Sequence, residues 1–152
     1  MHIPAHLRKY RQFEAARHRL DPIQDFELWY WAVSSAGTAL LNAALHTLGV
    51  LRENRHFATQ IPGVYAVADG GPRGWNYAIA SGGDLIHAGI PALPAVPREL
   101  QAAFAAMDAI EQYRNPCIRG EHPVTPELVQ GFEQAYASVR QVTGAVLEEA
   151  FA

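Results

Sequence analysis

Chemistry-bearing side chains are densest in the stretch YRNPCIRGEHPVT at 113–125, which holds Arg114, Asn115, Arg119, Glu121 and His122. Two guanidiniums of fixed fork geometry and one imidazole suit a phosphate or a carboxylate. The unpaired N–H groups of a helix starting just downstream would add to them. An imidazole also titrates near neutrality, so His122 has the chemistry to move a proton. The plain structural role of the same residues is to cap a helix end with arginine and to pair it with Glu121.

A second concentration lies on the longest helix that the sequence predicts. At 100° per residue, Trp31, Ser35, Thr38, Asn42 and His46 fall within about 80° of one another, and none of them carries a fixed charge. A helix face open to solvent normally carries Lys, Arg, Glu and Asp. Ser, Thr and Asn lower helix propensity and belong at caps. The stripe is therefore expected to be covered, by the 50–96 region, by a second copy of the chain or by a bound molecule. Each buried polar group left unpaired costs about 1–3 kcal/mol, so partners are expected as well. Neighbouring backbone groups would serve as partners without any ligand.

Other combinations carry less. His2 and His6 stand four residues apart, but at a terminus and with no third ligand adjacent. His46, His87, Glu121 and His122 have no local ligand pair of the HExxH kind. DGGPRG and SGGD lack the Lys-Ser/Thr ending of a phosphate loop and read as turns. Cys117, beside a proline, reads as a small buried hydrophobe. The sequence thus assigns no metal and no cofactor.

The elements that must position these residues are mainly helical. Helix one is expected from Pro4 to about Leu20, with Leu7, Tyr10, Phe13 and Leu20 as its stripe. Asp21-Pro22, with Gln24 at the capping-box position, starts helix two, which runs to Leu48 and closes on Gly49. Its apolar side is Phe26, Trp29, Tyr30, Val33, Gly37, Leu40, Leu41, Ala44 and Leu48. Helix three is expected from Pro97 to about Arg114, on the spacing of Leu100, Phe104, Met107 and Ile110, and Asn115-Pro116 stops it. Thr125-Pro126-Glu127 opens helix four, whose stripe is Leu128, Phe132, Tyr136, Val139 and Val146. Between helices two and three the prolines and glycines of 50–96 forbid a long helix. VYAVA and WNYAIA read there as two strands of a small hairpin around DGGPRG. The expected fold is all-α: one domain, 1–152, an antiparallel bundle of four helices with an irregular insertion between the second and third.

Composition agrees with a globular bundle. The 152 residues are 49% hydrophobic and 18% charged, with a formal charge of −3 and one cysteine. No net positive field draws the whole molecule onto nucleic acid, and no internal disulfide forms. The charged N-terminus has no apolar core, so the cytoplasm is the expected compartment. The run from Leu28 to Leu51 lacks Asp, Glu, Lys and Arg, but Ser34, Ser35, Thr38, Asn42, His46 and Thr47 interrupt it. It reads as a buried central helix rather than a membrane span.

A long helix ending in LLNAALH, followed by a bundle helix that ends in Arg114-Asn115 with His122 downstream, resembles the HEPN domains. Those are all-α bundles associated with nucleotide binding and with metal-independent RNA cleavage. The family's pattern is an Arg, a polar residue directly after it, and a His after four to six intervening residues. Here seven intervene. The resemblance covers the helices and not the insertion. It implies a binding or interaction module for a small anionic ligand or an RNA phosphate, with Arg119 and the helix-two stripe lining the site. In the enzymatic version, an endoribonuclease, His122 would take the proton of a ribose 2′-hydroxyl, Arg114 would stabilise the phosphate charge and Asn115 would orient it. A homodimer with the stripe as its seam and no ligand is the third reading.

Overall fold

The computed structural model describes residues 1–51, 56–58, 64–67, 76–79, 84–85 and 95–151. Within them the chain forms four helices: α1 (Ile3–Arg17), α2 (Phe26–Thr47), α3 (Gln101–Glu111) and α4 (Pro126–Phe151). They pack as an all-α bundle in which α2 is central, touching each of the other three. No helix among the described residues is long and apolar enough to cross a membrane.

Helix two begins one turn later than its cap suggests. Asp21 does cap a turn, its Oδ1 accepting from the backbone N–H of Ile23 at 2.9 Å and of Gln24 at 2.8 Å. That turn does not propagate, because Asp25 leaves helical geometry (φ −107°, ψ 30°) and becomes the cap residue of α2. The continuous helix is thus 22 residues, about 33 Å, rather than the 28 expected. Its end is as expected. Gly49 takes φ +71°, and the N–H of Val50 reaches back to the carbonyl of Leu45 at 2.9 Å. Leu48, expected in the core, is exposed beside this turn.

The core is built from the predicted stripes. Trp29, Tyr30, Val33 and Leu41 of α2 meet Met107 and Ile110 of α3 and Phe132, Tyr136 and Val139 of α4, all of them buried. Gly37 lets α3 approach: a Cβ there would lie 2.3 Å from Met107 Sδ. Leu100 closes the core from a 3₁₀ turn, Arg98–Leu100, that precedes α3. Beyond α3, Asn115–Arg119 form a single wide π turn, closed by the Gly120 N–H on the Asn115 carbonyl, in place of the plain helix stop expected at Asn115-Pro116. Thr125 caps α4, its Oγ1 accepting from Leu128 N–H at 3.2 Å.

Helix α1 is less apolar than the others, and two of its buried residues, His6 and Arg17, are polar. Arg17 and Glu14 tie it to α4. Arg17 donates to Glu14 at 2.9 and 3.2 Å and to Glu133 at 2.7 Å, while the hydroxyl of Tyr136 donates to Glu14 Oε2 at 2.6 Å. Between α2 and α3 three strands, β1 (His56–Ala58), β2 (Val64–Val67) and β3 (Asn76–Ile79), form an antiparallel sheet in that order. Its β2–β3 register runs from Val64 opposite Ile79 to Val67 opposite Asn76. The DGGPRG turn between them lies outside the described residues.

Candidate functional site

The uncharged stripe of α2 is covered, and the chain itself supplies the cover. Thr38, Asn42 and His46 are 6%, 3% and 7% exposed, whereas Ser35 and Trp31 at the other end are half-buried. Helix α1 lies along this face, and the segment Asp84-Leu85 crosses its far end.

Two contacts dock that segment. Asn42 reads the backbone of Leu85 twice: its Nδ2 donates to the Leu85 carbonyl at 2.9 Å, and its Oδ1 accepts from the Leu85 N–H at 2.7 Å. Leu85 is buried, so without Asn42 both backbone groups would be unpaired away from water. One turn along α2, His46 Nε2 lies 2.7 Å from Asp84 Oδ1. His6 arrives from α1, with its Nε2 3.3 Å from the same oxygen and its ring 5.3 Å from that of His46. His6 and Asp84 are 2% and 4% exposed. The amino group of Met1 meets the other carboxylate oxygen of Asp84 at 2.6 Å. Burial by itself would raise the pKa of this carboxyl. The donors at His46 and at the amino terminus, with the close imidazole of His6, outweigh that and hold it well below the usual carboxylate range.

Alongside runs a cavity of about 260 Å³, lined by His6, Lys9, Ser35, Thr38, Asn42 and Asp84 among others. Three buried polar atoms at or beside its wall have no hydrogen-bond partner among the described residues: Thr38 Oγ1, His6 Nε2 and His46 Nδ1. His6 Nε2 is close enough to Asp84 for an ion pair but off the line of a hydrogen bond.

The 113–125 segment stands elsewhere. Arg114 NH1 lies 3.9 Å from Glu111, which itself accepts a 2.5 Å hydrogen bond from Ser34. Arg114 is thereby fixed at the level of Ser34 on α2, whereas His46 is twelve residues, about 18 Å, farther along the axis. The His46 end of the stripe thus stands well along α2 from the level at which Arg114 is held. Within the loop, the N–H of Gly120 donates to the carbonyl of Asn115 at 2.9 Å and that of His122 to Pro116 at 3.2 Å, so the chain hooks back on itself. Asn115, Arg119 and His122 are exposed, with the imidazole of His122 beside the ring of Tyr113 at 5.6 Å. Arg114 is half-buried, and its Nε is buried without a hydrogen-bond partner. Cys117 is half-buried too, and desolvation pushes its thiol up, against a role as nucleophile. His87, weighed with His46, Glu121 and His122 as a ligand set, lies outside the described residues.

Sequence reasoning found His46, Thr38 and Asn42, weighed His6 only with His2 and set the pair aside, and missed Asp84. A signal for His6 was present: it takes the inward position of the helix-one stripe, at spacings of four, three and four through Tyr10, Phe13 and Arg17. Asp84 had none, since it reads as one residue of a glycine turn and meets its partners across 38 and 78 positions of sequence. Set beside known protein families, curated proteins and solved structures, the chain matches none of them.

Proposed function

We propose that the chain is a helical binding module whose cavity between α1, α2 and Asp84-Leu85 takes a small anionic molecule. The observation that carries this reading is the buried hydroxyl of Thr38, unpartnered on the wall of a 260 Å³ cavity that Lys9 and His6 also line. That volume is near the lower end for small-ligand pockets, so the ligand is of the size of a phosphate ester or a short carboxylic acid. The carboxylate of Asp84 is already engaged, by the amino terminus at 2.6 Å and by His46 Nε2 at 2.7 Å. The test is an isotope-edited titration with inorganic phosphate, malonate and AMP. Saturable shifts confined to Lys9, Ser35, Thr38 and Asn42 are expected with one of them. Thr38→Val should weaken that binding roughly tenfold, the value of one hydrogen bond to a charged group. No saturable shift with any of the three, or equal affinity in Thr38→Val, would refute the reading.

The second reading is the HEPN-like one, a metal-independent endoribonuclease using Arg114, Asn115 and His122. It is favoured by the hooked loop, in which Asn115, Arg119 and His122 are each exposed, and by the Nε of Arg114, unpartnered among the described residues. RNA cleavage that persists in chelator and is lost in both His122→Ala and Arg114→Ala supports it; cleavage unchanged in either variant ends it.

A further inference from the structure

His6 and His46 bring two imidazoles from different helices onto one carboxylate, and all three side chains are buried. Their ligating atoms lie within 4.8 Å of one another. As a purely structural ion pair the arrangement is incomplete. Asp84 Oδ1 serves His46 at 2.7 Å, while His6 Nε2 faces the same oxygen at 3.3 Å without a hydrogen bond, and His46 Nδ1 is also unpartnered. The imidazoles of His6 and His46 and the carboxylate of Asp84 thus converge on one small volume, where a cation would engage all three.

We propose that His6, His46 and Asp84 are the protein ligands of a mononuclear site for a divalent first-row transition ion, zinc or cobalt in type. The proposal goes beyond the anion-binding reading of the cavity and does not depend on it. With metal–ligand bonds of about 2.0–2.2 Å, neighbouring ligand atoms stand about 3.0 Å apart in octahedral and about 3.4 Å apart in tetrahedral geometry. The two imidazole-to-carboxylate separations, 2.7 and 3.3 Å, bracket the first, and all the ligating atoms lie within 4.8 Å of one another. Two imidazoles and one carboxylate favour zinc, cobalt, nickel or iron over magnesium and calcium, which take oxygen donors. Three protein ligands leave at least one position open, and the cavity bounded by His6 and Asp84 is where it opens. Asn42, by clamping Leu85, fixes the carboxylate from behind and is a positioning residue rather than a ligand.

The test uses the full, untagged chain, stripped with chelator and titrated with Co²⁺ and then with Zn²⁺. The expected result is one equivalent of Co²⁺ with a visible d–d band, displaced by one equivalent of Zn²⁺. Paramagnetically shifted imidazole protons should come from His6 and His46. His6→Ala, His46→Ala and Asp84→Ala should each weaken uptake by more than the roughly 10–100-fold that outer-shell changes cost. Thr38→Val should keep full metal affinity, so the loss of anion binding and the loss of metal binding are separable. Substoichiometric uptake by the folded wild-type chain overturns the proposal whether or not the variants fold. So do shifted imidazoles from other histidines, and so does unchanged affinity in any of the three folded ligand variants.

Discussion

Replacing Asn42 with alanine removes, among the described residues, the one side chain that pairs with the backbone of Leu85, at 2.9 and 2.7 Å. Two buried backbone groups then lose their partners, and each unpaired group costs about 1–3 kcal/mol, so a loss of about 2–6 kcal/mol follows. For a domain of this size each kcal/mol moves Tm by about 2–4 °C, giving a fall of about 4–24 °C. If the segment comes away from α2 instead of holding the strained contact, the global loss is capped at the docking energy of 84–85. The amide of Leu85 should then exchange with solvent far faster than its neighbours in α2. Thermal unfolding and amide hydrogen exchange read the two effects separately. Asn42→Asp is the stricter probe, because it keeps the acceptor for the Leu85 N–H, turns the donor into a second acceptor facing a carbonyl, and adds a buried charge one turn from His46. It should be at least as destabilising as alanine. An Asn42→Ala chain with unchanged Tm and a Leu85 amide still protected would refute the idea that this pair places Asp84.

Two further outcomes follow from the packing and from the ion pairs. Gly37→Ala should drive a methyl group into the fully buried Met107, for an overpacking cost of about 1–3 kcal/mol set against about 1 kcal/mol of gained helix propensity; denaturant unfolding should show a net loss of up to about 2 kcal/mol that vanishes when Gly37→Ala is made in a Met107→Ala background, and a more stable Gly37→Ala protein would contradict the close α2–α3 contact. Burial raises the pKa of Glu14, but hydrogen bonds from Arg17 and Tyr136 and the charges of Arg17 and Arg140 more than offset it, so the folded value lies below the ordinary 4.5. Its contribution is therefore complete above about 4.5 and is lost as pH falls through the depressed folded value. Glu14→Gln should cost about 1–2 kcal/mol at neutral pH, and its stability should converge with that of the wild type in acid; parallel curves down to low pH would show that the carboxylate is not what ties α1 to α4.

How far the sequence reached depended on the range of the forces involved. Caps, prolines and stripes act within a few residues, so Thr125, Gly49 and the Phe132–Tyr136–Val139 stripe were legible, and with them the all-α bundle. The burial of Thr38, Asn42 and His46 was legible as well, because an uncharged helix face is a local fact with a strong implication. The late start of α2 was not, since the competition between the Asp21 turn and the Asp25 cap is decided by how the α1–α2 connection must bend to lay α1 on the stripe. Nor could one strand of reasoning tell that His46 stands about 18 Å along α2 from the level of Arg114, for each is defined by its own local pattern and their separation only by where α3 ends. The meeting of His6, His46 and Asp84 belongs wholly to tertiary structure. Three unremarkable local signals, a stripe position, a helix turn and a glycine-flanked acid, become one charged, water-excluded centre only when the bundle closes and Asn42 captures Leu85, because electrostatic coupling depends on distance and on local dielectric, neither of which is written in sequence order.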